Sequence, residues 1–374
     1  MLAPVAPTAY QVRLDPLPHL DVLRLRWLEL QSRSHGSFFQ SWGWIGPWLS
    51  LICPPPIARL LSVYHGKRVV GLGVVTVRRG FLGLGPRHLR LHEIGDPALD
   101  NLTIEYNGLL TEKGREREVL AAAVAHLALH DKRWLTFYVP GIDIDQVPMD
   151  KLRELGVGIR MRRRATHYVD LAAVRETGSD YVSTVLSPKA RASVRRTARK
   201  LVATYGELQL TVASDTRERQ AFFTQMAGLH EAYWTGDDDE HGAFNDPRIL
   251  RFHDQLIEES NEHEGAQLVR LTAGDRVVGY VYVLVWQGVV YFYQAGIDYP
   301  RFGHCGSPGL LLLSEVIQRA MDDGHTRFEL MAGESEYKRT LGMAEGKMAW
   351  MSLDRLGWRS SLRDTLRRLQ GKGE

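Results

Sequence analysis

At 374 residues, with 44% hydrophobic and 24% charged residues, the chain exceeds a usual single domain and has a globular balance that excludes a disordered or fibrous protein. Lys plus Arg number 47 against 44 Asp plus Glu, and the resulting +3 is too small to indicate nucleic acid binding from the total. Cys53 and Cys305 lie far apart without Cys/His ligand spacing, so no disulfide framework and no metal site are expected, and a cytoplasmic setting fits.

Met1 to Leu20 has no basic start leading into an apolar core, so no secretory signal is expected. Phe38 to Leu49, FFQSWGWIGPWL, is strongly aromatic, and Trp42, Trp44 and Trp48 read as core and interface residues rather than stacking platforms. Ala58 to Val77 reads as two strands around a glycine turn. Asp96, Asp100 and Glu105 follow in EIGDPALDNLTIEYNG. Gly114 to His130 then has helical periodicity and leads into a strand from Trp134 to Val139, ending at Pro140-Gly141.

From Leu186 to Leu201, Lys189, Arg191, Arg195, Arg196, Arg199 and Lys200 occur with no acid, while Val194, Ala198 and Leu201 keep helical spacing. This predicts one amphipathic helix with a basic outer face, either plain solvated surface or a guide for an anionic donor, a nucleotide-linked substrate or a tRNA acceptor stem. A helix from Glu218 to Tyr233 precedes the polar loop of HEAYWTGDDDEHGAF, which lacks the ligand spacing of a calcium loop. His230 falls on that helix face, where a structural histidine is the simpler reading.

Val277 to Ile297 carries no charge and is long enough to span a bilayer, but its Val, Tyr, Phe and Trp content, broken at Gln287-Gly288, predicts a hairpin instead. Pro308-Gly309 opens a helix over Leu310 to Met321, followed by a strand over Arg327 to Met331. Near the end, Trp358, Leu362, Leu366 and Leu369 share one helical face among arginines, a pattern that docks on protein or on an anionic membrane surface.

Two stretches align without gaps, ARLLSVYHGKRVVGLGVVTV from Ala58 and AQLVRLTAGDRVVGYVYVLV from Ala266. Gly66 falls on Gly274, and Arg68-Val69-Val70-Gly71 on Arg276-Val277-Val278-Gly279. Each hairpin is followed by a further strand, a helix and a strand, so the chain reads as a duplication. The expected fold is α/β (α+β) in two tandem domains, each a mixed, mostly antiparallel sheet flanked by helices. The expected boundaries are 1–165 and 166–355, with a basic tail at 356–374.

Three stretches in the second half carry a family resemblance: LSPKARASVRRTARKLVATYG from Leu186, YFYQAGIDYPRFGHCGSPGLLLLSEVI from Tyr291, and HTRFELMAGESEYKRTLG from His325. Together with the aromatic opening they resemble the CelD-like group of GNAT acyltransferases, related to the Fem-type aminoacyl-tRNA-dependent peptidyltransferases. The resemblance implies an N-acyltransferase using acyl-CoA or an acyl-carrier-protein thioester, with a small-molecule amine acceptor and a role in polysaccharide or lipid assembly. It implies tRNA as the rival donor. Against that rival, the sustained heptads of the Fem-type coiled-coil arm are missing. A binding or scaffold protein that keeps the fold without catalysis is the alternative from another class.

By position, the strand Tyr291 to Gly296, with Tyr291, Tyr293 and Gln294, should splay from its neighbour to hold the donor's pantetheine arm. Ser307, Pro308 and Gly309 should offer phosphate a helix N-terminus, although the same triplet also simply starts a helix. The usual Gln/Arg-x-x-Gly-x-Gly/Ala pyrophosphate loop is not matched between Arg301 and Gly309, which leaves the acyl carrier open. The resemblance further implies Tyr337 and Lys338 as catalytic residues, Lys338 contacting phosphate or carboxylate and Tyr337 protonating the leaving thiolate or orienting the amine. Trp234, His241, Arg195, Arg199 and Asp298 are the candidate substrate contacts. Because the first half has no counterpart to Tyr337-Lys338, it is expected to have lost donor binding.

Overall fold

The computed structural model describes residues 10–79, 87–102, 104–130, 134–234 and 243–355, the side chain of Trp234 excepted. The chain divides into two units: the first runs to Arg163 and takes up again at Lys347, and the second is Arg164–Gly346.

In the first unit, β1 (Tyr10–Pro16), α1 (Leu20–Gln31) and α2 (Trp42–Leu51) precede a hairpin of β2 (Ala58–His65) and β3 (Arg68–Arg79). Then come β4 (Arg87–Leu91), α3 (Pro97–Asp100), β5 (Leu110–Thr111), α4 (Glu116–His130), β6 (Trp134–Asp143), α5 (Met149–Glu154) and the first half of β7 (Val157–Asp170). The second unit begins with the rest of β7 and continues through α6 (Leu171–Glu176), α7 (Tyr181–Val185), α8 (Pro188–Tyr205), β8 (Leu208–Val212), α9 (Thr216–Trp234) and α10 (Pro247–Glu258). It closes with β9 (Gly265–Ala273), β10 (Arg276–Trp286), β11 (Val289–Ile297), α11 (Tyr299–Phe302), α12 (Pro308–Asp322), β12 (Arg327–Ala332), α13 (Glu336–Leu341) and the start of β13 (Ala344–Arg355).

Strand order repeats from one unit to the other. The first reads β1-β2-β3-β4-β6-β13 and the second β8-β9-β10-β11-β12-β7. In each, the fourth and fifth strands are the parallel pair, β4 with β6 and β11 with β12, and the neighbouring pairs are antiparallel. The two hairpins even share a bulge. The β2–β3 register passes from Tyr64↔Val69 to Val63↔Gly71, skipping Val70, and the β9–β10 register passes from Thr272↔Val277 to Leu271↔Gly279, skipping Val278. Gly279 is required there: a Cβ would stand 2.7 Å from the carbonyl oxygen of Gly296 on β11.

The uncharged stretch from Val277 to Ile297 is a hairpin, its turn made by Gln287 and Gly288, both at positive φ (48° and 79°), as a tight two-residue connection requires. Among the described residues no helix is long and apolar enough to cross a membrane. Each unit packs its long helix on one sheet face. Val119, Leu120, Val124 and Leu127 of α4 join Leu89, Phe137, Val139 and Met351 in the first core. Leu312, Leu313, Val316 and Ile317 of α12 join Val290, Phe328, Leu330 and Val169 in the second. Trp44 and Trp48 are core residues, as expected.

The domain boundaries differ from expectation at the end of the chain. Residues from Lys347 belong to the first unit, where Met348 to Asp354 pair with β6, and the second unit takes its sixth strand from β7. Each unit is thus closed by a strand that lies outside its own repeat in sequence. The expected amphipathic tail at 356–374 lies outside the described residues.

Candidate active site

The second unit holds a cavity of about 340 Å³ where β11 parts from β12. The two strands pair in register only at Val289↔Arg327, Val290↔Phe328 and Tyr291↔Glu329, after which β11 runs on to Ile297 along β10 alone. A bulge sharpens that departure: Tyr282 stands opposite Gln294 and Val283 opposite Phe292, so the register skips Tyr293. The cavity is walled by Phe292, Gln294, Ala295 and Ile297 of β11, by Leu229, His230 and Tyr233 of α9, by Gly309, Leu310 and Leu313 of α12, and by Tyr299 and Tyr337.

Close backbone contact fixes α9 and α12 against this strand. A Cβ on Gly296 would meet the carbonyl oxygen of Met226 at 2.3 Å, so only glycine allows α9 to lie so near β11. A Cβ on Gly309 would fall 2.6 Å from the Tyr299 hydroxyl. Tyr233 and Tyr299 face one another with ring centroids 5.4 Å apart. With Tyr337 they are three of the few large hydrophobic side chains that stay exposed, and all three stand at this one cavity.

His230 is buried, and its Nδ1 lies 3.2 Å from the Ala295 carbonyl oxygen. A carbonyl only accepts, so the proton sits on Nδ1 and Nε2 carries the lone pair. Burial holds its pKa below the usual histidine value and keeps the ring neutral near pH 7. Burial, reinforced by Tyr233, raises the Tyr299 phenol, which therefore stays protonated.

Of the candidate site residues named from the sequence, Gln294, Gly309 and Tyr337 come together at this cavity. The other described candidates stand elsewhere. Tyr291 is buried beside Glu329 and Arg327. Tyr293 packs on His253 and Tyr282, at 5.2 Å from each ring. The Ser307 backbone N–H donates to Thr197 Oγ1 at 3.0 Å and its hydroxyl lies 3.3 Å from that of Ser193, which ties the start of α12 to α8, and Pro308 is buried.

Lys338 donates through Nζ to the Ala332 carbonyl at 2.6 Å, securing the end of β12 rather than reaching into the cavity. Asp298 caps α11 by accepting from the Arg301 amide at 3.1 Å. Arg195 and Arg199 are exposed on α8, whose Ala190, Val194, Thr197 and Leu201 face inward. His241 and the side chain of Trp234 lie outside the described residues. Tyr233 and Tyr299 are contacts that the sequence reading left out, and His230, read there as a structural histidine, also lines the cavity. His230 and Tyr233 stand one helical turn apart, which places both on the face of α9 that meets β11.

Residues 188–339 match the family model of the acetyltransferase (GNAT) domain. The chain carries a GNAT acyltransferase domain. That domain spans α8 to α13 and so includes the strand parting, the cavity and all of its lining residues. No curated protein sequence matches the chain.

Among solved structures the chain resembles FemX at 11% identity, covering 96% of this chain and 99% of that one, with a TM-score of 0.57. It also resembles L-PGS from Bacillus licheniformis at 14% identity, over 94% and 97% of the two chains, with a TM-score of 0.52. The C-terminal domain of a proposed lysylphosphatidylglycerol synthetase from Agrobacterium fabrum matches at 11% identity, over 92% and 95%, with a TM-score of 0.53. At these identities the likeness is one of fold, and it extends over both units.

Proposed function

We propose that the chain is an N-acyltransferase that moves an acyl group from a thioester, carried by coenzyme A or an acyl carrier protein, to a small-molecule amine. The observation that carries this reading is the cavity at the parting of β11 and β12, beside the first turn of α12. A strand that leaves its neighbour turns one row of backbone groups toward a ligand, suited to the amides of a pantetheine arm. The thioester is already activated, so the site has chiefly to position it beside a neutral amine.

In the proposed reaction the amine nitrogen attacks the thioester carbonyl carbon, the C–N bond forms and the C–S bond breaks. The amine proton passes to His230 Nε2, the neutral base at the cavity, and the Tyr337 hydroxyl donates a proton to the departing thiolate. Leu229, Leu310, Leu313 and Ile297 supply an apolar wall for the acyl chain.

Melting temperature measured with coenzyme A, acyl-CoAs, acyl carrier protein and charged tRNA tests the donor, since a ligand of the folded state raises it. Replacing His230→Gln and Tyr337→Phe tests the roles: about 100-fold loss of turnover with an unchanged fold is expected of each. Unchanged turnover in both variants would remove the catalytic reading.

One observation favours a second reading, an aminoacyl-tRNA donor. Lys189, Arg195, Arg196, Arg199 and Lys200 are exposed along α8, which carries no acidic residue in its first turn to offset them. Charged tRNA raising the melting temperature, with Arg195→Glu and Arg199→Glu abolishing the rise, is the result that selects it.

A further inference from the structure

A second cavity lies in the first unit, among residues outside the GNAT match at 188–339. It is a groove of about 800 Å³ laid across four neighbouring strands. Strands run in the order β4-β6-β13-β7, and alternate residues of each line the groove: His88 and Arg90, Thr136 and Tyr138, Trp350 and Ser352, Arg160 and Arg162. Arg78 of β3, with Leu89, Gly95 and Met161, completes the lining. Phe137 and Met351, which alternate with the lining residues of β6 and β13, and Leu353 beyond Ser352 belong to the core that α4 joins, so the polar side chains of the groove stand on the opposite face of the sheet.

Four guanidinium groups therefore look into one groove with no carboxylate among its lining residues. The nearby acids are committed. Asp354 accepts from Arg160 Nε and Nη2 at 2.7 and 3.0 Å, and Glu93 pairs with Arg90 at 2.8 Å, with Asp100 4.0 Å from the same guanidinium. Arg78 and Arg162 have no carboxylate within 4.0 Å among the described residues. Arg162 lies over the Trp350 ring at 5.7 Å and Arg90 over the Tyr138 ring at 4.9 Å, so aromatic faces hold the two forks in place.

The same place in the second unit shows what a neutralised face looks like. There Tyr291, Glu329 and Tyr168 stand in register on the face opposite the α12 core, and Arg327 is paired with Glu329 and lies over the Tyr168 ring at 3.5 Å. One arginine is met by one buried carboxylate. The first unit has instead gathered arginines and left two of them without an acid within 4.0 Å among the described residues, a repulsive arrangement that an anion would relieve.

We propose that this groove binds a small molecule bearing a phosphate or diphosphate group. Arginine forks match phosphate oxygens in pairs, and the groove is lined by four arginines and no lysine. Thr136, Tyr138 and Ser352 offer hydroxyls to the rest of the ligand, and Trp350 offers a ring face. The volume suits a nucleotide or a sugar phosphate rather than a polymer.

The test uses the full chain and isothermal titration with ADP, glucose 6-phosphate, inorganic phosphate and a single-stranded oligonucleotide. It compares the wild type with an R78Q/R162Q variant. Both arginines are exposed and neither has an ion pair among the described residues, so the variant should keep the wild-type melting temperature. At least one of ADP and glucose 6-phosphate should bind, and the variant should weaken it tenfold or more; which of the two binds identifies a nucleotide or a sugar as the carrier of the phosphate. If the variant fails to fold, W350A serves instead, with the same tenfold loss expected for a ring-bearing ligand. Retained affinity in the variant, no binding of any small phosphate compound, or tighter and strongly salt-dependent binding of the oligonucleotide would each overturn the proposal. Retained acyl transfer in the variant alongside lost phosphate binding separates this site from the reaction of the second unit.

Discussion

The two units share a strand order and a bulged hairpin but differ where the fourth strand leaves the fifth. In the second unit that parting is a cavity lined by His230, Gln294 and three tyrosines. In the first, the chain has filled it. The Asn107 amide donates to the Gly141 carbonyl at 2.8 Å, and Asn107 bridges to Ile142 of β6, laying residues 104 to 108 along the strand that β4 leaves. His92 seals the inner end: Nε2 accepts from the Val74 amide at 3.0 Å, and Nδ1 therefore donates to Asn107 Oδ1 at 2.7 Å. A fold built to open between two strands can thus be closed by its own loop, and here only one copy keeps the opening.

Glycine substitutions break the comparison most strongly. Gly296→Ala should push α9 away from β11, because the new Cβ would lie 2.3 Å from a backbone oxygen. The expected cost is about 3 kcal/mol in urea unfolding, together with loss of acyl transfer. Gly141→Ala, at φ 59° with a Cβ 2.6 Å from the Ile104 carbonyl oxygen, should cost about as much stability while disturbing only the filled parting. Loss of donor binding in Gly141→Ala would show that the first unit shapes the donor site after all.

Asn107→Ala comes next. It removes the acceptor of the buried His92 Nδ1 proton and should cost about 2 kcal/mol in the same unfolding measurement.

The pH dependence of stability is a further probe of the filled parting. Burial, opposed only by the Asn107 bond, pushes the His92 pKa down to about 4. Between pH 6.5 and 4 the unfolded chain binds the extra proton, so stability falls as pH falls through that window. His92 alone should remove about 2 kcal/mol between pH 7 and 5, read as the shift in urea midpoint and diminished in His92→Gln. In the second unit the lowered His230 pKa keeps the base neutral, so the acid limb of turnover should lie below the ordinary histidine value. An acid limb at or above that value would contradict the assignment of His230.

The hairpins were legible in the sequence because Gly66, Gly274 and Gln287-Gly288 mark turns between β-branched runs, a purely local signal. The helices of the second unit were legible from their periodicity, as in Val194, Ala198 and Leu201 of α8. The closing strands were not: Lys347–Arg355 follows the second repeat in sequence, and only its pairing with β6 assigns it to the first unit.

At the site, Gln294, Gly309 and Tyr337 were within reach because the resemblance fixed the strand, the helix start and the turn. Lys338 shows the limit of that reasoning, since a sequence cannot reveal that an ammonium turns back onto the Ala332 carbonyl. His230 shows the converse. Its helical face was plain, but what that face meets depends on Gly296 letting α9 approach β11. Lys338→Met should accordingly lower stability by about 1 kcal/mol and leave turnover nearly intact, the smallest effect expected here.

The central claim is that the donor enters the parting of β11 and β12. Melting temperature across a panel of acetyl-CoA, longer acyl-CoAs and acyl carrier protein, in the wild type and in Leu310→Trp, tests it directly, because the indole would fill the cavity from α12. At least one thioester should raise the melting temperature of the wild type in a saturable way and leave that of Leu310→Trp unchanged. A rise of equal size in both proteins, or none with any thioester, would contradict it.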